Sequence, residues 1–169
     1  MSQYHIDRIA SVLDDSFGSL IDMSDWHKKP APEARVAFLQ RGMAALCIKS
    51  LAEVEDSIAA EAVVDGFDDG GIDALFFDQI NDAFYFVQGK WSEDGTKPID
   101  GNASGRFIEG VRDILSARRI ERFNQKVKNK ESEILAALRA SRLIRIILVT
   151  AHTATQRSAL TGAVESAIS

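Results

Sequence analysis

The chain has 169 residues, 46% of them hydrophobic and 27% charged, which is ordinary globular composition and enough chain to bury one core. No apolar run approaches the roughly 20 residues of a membrane span, and the first residues, among them Tyr4, His5, Asp7 and Arg8, lack a signal-peptide pattern, so a cytoplasmic protein with no membrane partner is expected. A net charge of −5 argues against general affinity for polyanions, and Cys47, the only cysteine, excludes an intrachain disulfide or a thiolate zinc cluster.

Ile6, Ile9, Val12 and Leu13, then Phe17, Leu20 and Ile21, recur at helical spacing and predict one amphipathic helix or two short ones. Pro30 and Pro32 interrupt the pattern, so residues 1–30 are read as a helical extension and residues 31–169 as the main domain. A second helix is expected from about Glu33 to Ser50, burying Val36, Leu39, Met43, Leu46 and Cys47, with a shorter turn through Ala60. From Ala62 the character changes. Val63 and Val64 are β-branched, and Asp65-Gly66-Phe67-Asp68-Asp69-Gly70-Gly71 is dense in turn formers. Strands follow at Ile72–Asp78 and Phe84–Lys90, then a polar loop, then a long helical segment from about Arg106 to Ala140 with a break near Asn124 or Asn129. Its expected core contacts are Phe107, Val111, Ile114, Phe123, Val127, Ile134 and Leu138. Ile146-Ile147-Leu148-Val149 reads as a strand buried on both faces, and a helix from Thr153 to Ile168 closes the chain. The alternation predicts an α/β domain with helices covering a mixed, four-stranded sheet.

The chemistry lies in the central hairpin. If it closes symmetrically about Ile80-Asn81, Phe77 opposes Phe84, Leu75 opposes Phe86, Asp73 opposes Gln88 and Gly71 opposes Lys90, all on one face. Opposed Cβ atoms lie about 4.5–5.5 Å apart, so the Asp73 carboxylate and the Gln88 amide oxygen could share one hard cation, with Lys90 further along. Phosphodiester hydrolysis needs such a set: oxygen ligands for Mg2+ or Mn2+, which polarises phosphate and acidifies water, and an ammonium that orients the nucleophile or offsets developing charge. Gln88 contributes only a neutral oxygen, so a further carboxylate is required. Asp65, Asp68 and Asp69 are nearby, and Asp69 is favoured because Gly70-Gly71 lets the backbone fold back.

Asp69-Gly70-Gly71-Ile72-Asp73-Ala74 followed by Val87-Gln88-Gly89-Lys90-Trp91 resembles the D-x-G-I-D…Q-x-K variant of the PD-(D/E)XK nucleases, the Mrr-like group. The longer stretch from Asp65, with Tyr85-Phe86 before the second motif, is similar to the N-terminal region of abortive-infection phage-resistance (AIPR) proteins, over roughly residues 33–152. The resemblance implies a restriction-endonuclease-like fold, a divalent metal, and an endonuclease acting on nucleic acid, DNA ahead of RNA, in defence against phage or other foreign DNA. It also leaves room for a homodimer and for a C-terminal regulatory region in a longer parent chain. Many relatives carry a glutamate just after a phenylalanine on the first core helix. Here Phe38 is followed by Leu39 and Gln40, which leaves Glu33 and Glu53 as candidate replacements. A fold retained without cleavage would leave a nucleic-acid-binding or protein-interaction module, and both readings stay open.

Charge is unevenly placed: residues 1–103 carry a net −11 and residues 104–145 a net +6. Arg118, Arg119, Arg122, Lys126, Lys128 and Lys130 are the candidates for phosphate contacts, and they equally suit helix pairs with Glu121, Glu131 and Glu133. Trp91 is expected to be buried against a helix rather than stacked on a base, and His5, His27 and His152 show no zinc-like spacing.

Overall fold

Asp78 builds the turn that sets the hairpin. In the computed structural model, which describes residues 3–96, 100–117 and 119–151, Asp78 Oδ1 accepts the N–H groups of Ile80 (3.0 Å) and Asn81 (3.1 Å), and Oδ2 accepts from the Asn81 side chain. The strands that leave this turn, β1 (Ala74–Asp78) and β2 (Ala83–Lys90), pair antiparallel in the expected register, with Phe77 opposite Phe84 and Leu75 opposite Phe86. Period-two alternation then sorts side chains to two cores. Leu75, Phe77, Phe84 and Phe86 point to one face, while Ala74, Ala83, Tyr85 and Val87 point to the other.

The second of these faces is covered by α1 (Gln3–Phe17), α2 (Ala31–Ala52) and α3 (Asp56–Glu61). Pro30 immediately precedes α2, and Glu53, in the left-handed conformation, ends it. The helix buries more than the single stripe expected. Leu39 and Met43 are in the core, but so are Ala37, Phe38, Arg41, Gly42, Ala44, Ala45 and Ile48, because α2 lies between the sheet and α1. The N-terminal helix shares that core through Ile6, Leu13 and Phe17.

The opposite face is covered by α4 (Gly101–Leu115), α5 (Gln125–Asn129) and α6 (Glu131–Ala140), which divide the long helical segment expected from the sequence. The divisions have local causes. Asp100 caps α4 by accepting from Asn102 N–H, and Asn124 caps α5 by accepting from Val127 N–H. Phe107, Val111, Ile114, Phe123, Val127 and Ile134 are buried here as expected, with Leu138 half-buried.

β3 (Leu143–Thr150) pairs parallel to β2, giving the order β1-β2-β3, so among the described residues the sheet is mixed with three strands rather than four. The β-branched pair Val63-Val64, where a further strand would have to lie, makes only an isolated bridge, Val63 to Ala74, before the chain turns away. β3 is also not buried on both faces. As an edge strand it leaves Leu143, Ile144 and Ile146 exposed. The expected closing helix and His152 lie outside the described residues. No helix among the described residues is long and apolar enough to cross a membrane.

Candidate metal centre beside the hairpin

The regular pairing of β1 stops at Ala74. Asp73 N–H donates to the Val87 carbonyl (2.9 Å), although Val87 already faces Ala74, so two residues meet one and the strand bends as at a β-bulge. The Asp73 carbonyl meanwhile accepts from Val64 and Asp65 N–H (2.9 and 3.2 Å), which ties the loop's entry to its exit. Between them, Asp69 closes the turn by accepting from Gly71 N–H (2.6 Å) and Gly66 N–H (3.2 Å). Gly70, at φ +66°, lies directly against Gly110 of α4, where a Cβ would collide with the Gly70 carbonyl. Asn124 fixes the outside of the loop through its N–H to Asp68 O (2.9 Å) and its side-chain amide to Val64 O (2.8 Å).

This folding gathers three carboxylates. One oxygen each from Asp65, Asp69 and Asp73 lies within 4.8 Å of the others. Asp73 is the floor at 4% exposure, while Asp65 and Asp69 sit nearer solvent. Burial, reinforced by the charge of Asp65, raises the Asp73 carboxyl well above the ordinary carboxylate range, against the opposing pull of the Gly89 N–H and the Lys90 ammonium. Burial likewise raises Asp69, with its bonds to Gly71 and Gly66 acting in the opposite direction. Such crowding stabilises a divalent cation as readily as it does a proton. The donor set, hard oxygens at short mutual range, suits Mg2+ or Mn2+.

Behind the cluster lies Arg41, with no exposed surface. Its guanidinium donates to Asp65 Oδ2 (2.6 Å), Asp65 O (3.1 Å), both oxygens of Asp25 (2.8 and 2.6 Å) and Asp22 O (2.7 Å). Burial alone would lower its affinity for the proton, but the bonds to Asp25 and the charge of Asp65 outweigh it and hold the group cationic.

The sequence-derived site is thus partly rearranged. Asp69 and Asp73 come together as expected, and Asp65 joins them. Asp73 and Gln88 do not form the opposed pair expected from extending the register. The bulge turns the Asp73 carboxylate toward the α2 side, where Oδ2 accepts Gly89 N–H (2.7 Å), while Gln88 Nε2 donates to Gly71 O (2.9 Å) and Ala103 O (3.4 Å) on the α4 side. Gln88 Oε1 is buried without a hydrogen-bond partner among the described residues. Lys90 is half-buried at the end of β2, close enough to attract Asp73.

Of the basic candidates, Arg122 lines the cleft above the loop. Lys126 is drawn to Asp22 (3.4 Å) and Asp65 O (3.3 Å), and Lys130 pairs with Glu133 (2.8 Å). Arg119 is exposed, Lys128 is half-buried, and Arg118 lies outside the described residues. Trp91 is buried as expected. Glu53 ends α2. Glu33 and Gln40 line a cleft of about 820 Å³ with Asp65, while Gln40 Nε2 donates to Gly89 O (3.4 Å). Sequence reasoning missed Arg41 and Arg106. An arginine on a core helix with Ala37, Phe38, Ala44 and Ala45 three and four residues away was the signal for the first. Arg106 had none beyond its charge; it opposes the rise at Asp69 from the rim of a second cleft of about 750 Å³. Trp26 and Asp65 border both clefts.

No family model matches the chain, and neither a curated protein nor a solved structure matches it.

Proposed function

We propose that this chain is a metal-dependent endonuclease module of the PD-(D/E)XK type with a restriction-endonuclease-like fold, hydrolysing nucleic-acid phosphodiesters in defence against foreign DNA. The observation that carries this reading is the convergence of Asp65, Asp69 and Asp73, within 4.8 Å of one another, with the Lys90 charge near enough to act on Asp73. Asp69 and Asp73 of this set are the two acids of the D-x-G-I-D motif.

In this reading Asp65, Asp69 and Asp73 would hold Mg2+ or Mn2+, while Gln88, the neutral ligand expected from the motif, faces the α4 side and stands outside this set. When bound, the ion supplies Lewis acidity toward the phosphate and makes water more acidic. Arg41 holds Asp65 in place through Oδ2. The Gly66 and Gly71 N–H groups fix the Asp69 carboxylate, and Gly89 N–H fixes that of Asp73. Lys90 acts as the base that takes the nucleophile's proton or as the charge that offsets negative build-up at phosphorus.

The test is cleavage of a panel of single- and double-stranded DNA and RNA with Mg2+ and with Mn2+. Wild type should cut at least one substrate, and Asp73→Asn and Lys90→Ala should each lower the rate by about a hundredfold or more while remaining folded. A second reading, a nuclease-fold binding or interaction module without cleavage, draws support from the separation of Gln88 from Asp73. Substrate binding that persists in EDTA and in Lys90→Ala, with no cleavage under any condition, would establish it instead.

A further inference from the structure

Phe67 is 90% exposed on a loop whose neighbours are tied down. Asp65 is held by Arg41, Gly66 N–H by Asp69, and Asp68 O by Asn124 N–H. A large apolar ring is therefore presented to solvent by a backbone with little freedom to withdraw it. Ile80, 94% exposed at the hairpin turn, lines no described cleft, whereas Phe67 lines the 750 Å³ cleft together with Trp26, Asp69, Lys29, Arg106 and Arg122. The cleft therefore combines the rings of Phe67, Trp26 and the buried Phe123 with three cations and the outer edge of the carboxylate cluster.

Its charge narrows the choice of ligand. The three cations are outnumbered by Asp25, Asp65, Asp68, Asp69, Glu109 and Asp113 on the same walls, so phosphate neutralisation alone would not hold a polyanion here. Ring faces would supply what charge does not, because every unpaired base offers a π-face and stacking is tolerant of sequence. A duplex keeps its bases stacked internally and offers no such face. We propose that Phe67, with Trp26 beside it in the cleft, is a stacking platform for unpaired bases, and that the preferred ligand is single-stranded nucleic acid. This deepens the nuclease reading by naming the substrate class, and for its orientation at the carboxylates it rests on that reading.

The test measures binding and cleavage separately on the full chain. Binding of a labelled single-stranded oligodeoxynucleotide, the same sequence as a duplex, and an abasic strand of equal length is followed by fluorescence anisotropy with Ca2+ present. Cleavage is followed with Mg2+. Wild type should prefer the single strand over both the duplex and the abasic strand. Phe67→Ala should weaken single-strand binding about tenfold, Phe67→Tyr should restore it, and Ile80→Ala should change nothing. Equal binding of the abasic strand, no single-strand binding, or unchanged affinity in Phe67→Ala would overturn the platform, even if cleavage is seen. Phe67-dependent binding without cleavage would uphold it while removing the nuclease reading.

Discussion

The hairpin and the loop that precedes it are adjacent in sequence and opposite in physical character. From Ala74 to Val87 the chain alternates regularly, its large side chains are almost all buried, and the Phe84 and Phe86 rings pack at a tilt with centroids 4.4 Å apart. From Asp65 to Asp73 it turns through positive φ at Asp68, Gly70 and Gly71, buries carboxylates close together, and holds itself by side-chain bonds to single N–H groups. The hairpin contributes stability through apolar burial. The loop concentrates like charge at a cost in stability, which the buried Arg41 offsets in part. A pairing of this kind, a rigid apolar element supporting a strained polar one, is how a fold holds a reactive constellation in place.

Truncations should separate the two regions. Phe86→Ala should lower unfolding free energy by about 3–5 kcal/mol in denaturant titrations and leave the cation affinity of the folded fraction unchanged. A loss of affinity there would mean that the regions are not separable. Arg41→Met should lower stability by a similar amount, about 3–5 kcal/mol, because Asp25 and Asp65 lose their counter-charge. Unlike the hairpin change, it should also weaken cation binding, and Arg41→Lys should recover part of both effects. Gly110→Ala places a Cβ against the Gly70 backbone and should lower stability by about 1–3 kcal/mol. A neutral result would show that the loop does not rest on α4.

The smallest expected effect is on acid stability. Asp22 is lowered to about 2, mainly by the Ser24 N–H, and bonds to Arg35 and Arg41 lower Asp14 and Asp25. Carboxyls lowered in the folded state contribute stability above their unfolded value, and that stability is lost as pH falls through the folded value. The melting temperature should therefore fall between about pH 4 and pH 2. Asp14→Asn should flatten that fall slightly, and an unchanged profile would remove Asp14 from the explanation.

The hairpin was legible because two constraints, cross-strand aromatic pairs and the Ile80-Asn81 turn, fix a period-two register without help from distant residues. Extending that register one residue too far produced the expected Asp73–Gln88 pair. The bulge arises from bonds between Asp73 and residues on both sides, Val64, Asp65 and Val87, that alternation does not encode. Asp69 was readable from the glycines that follow it. Asp65 was seen as near the site, but its place depends on Arg41, which lies 24 residues earlier on a helix read only for its apolar stripe. The exposure of β3 was hidden because a run of branched residues looks the same at a sheet edge as in the centre.

The most direct measurement is calorimetric titration of Mn2+ into wild type, Asp73→Asn, Asp65→Asn and Asp94→Asn, the last an acidic residue outside the cluster. The account predicts one cation per folded chain in wild type and in Asp94→Asn, with affinity reduced at least about tenfold in the two cluster variants. Equal binding by all four proteins, or no binding by wild type, would contradict it.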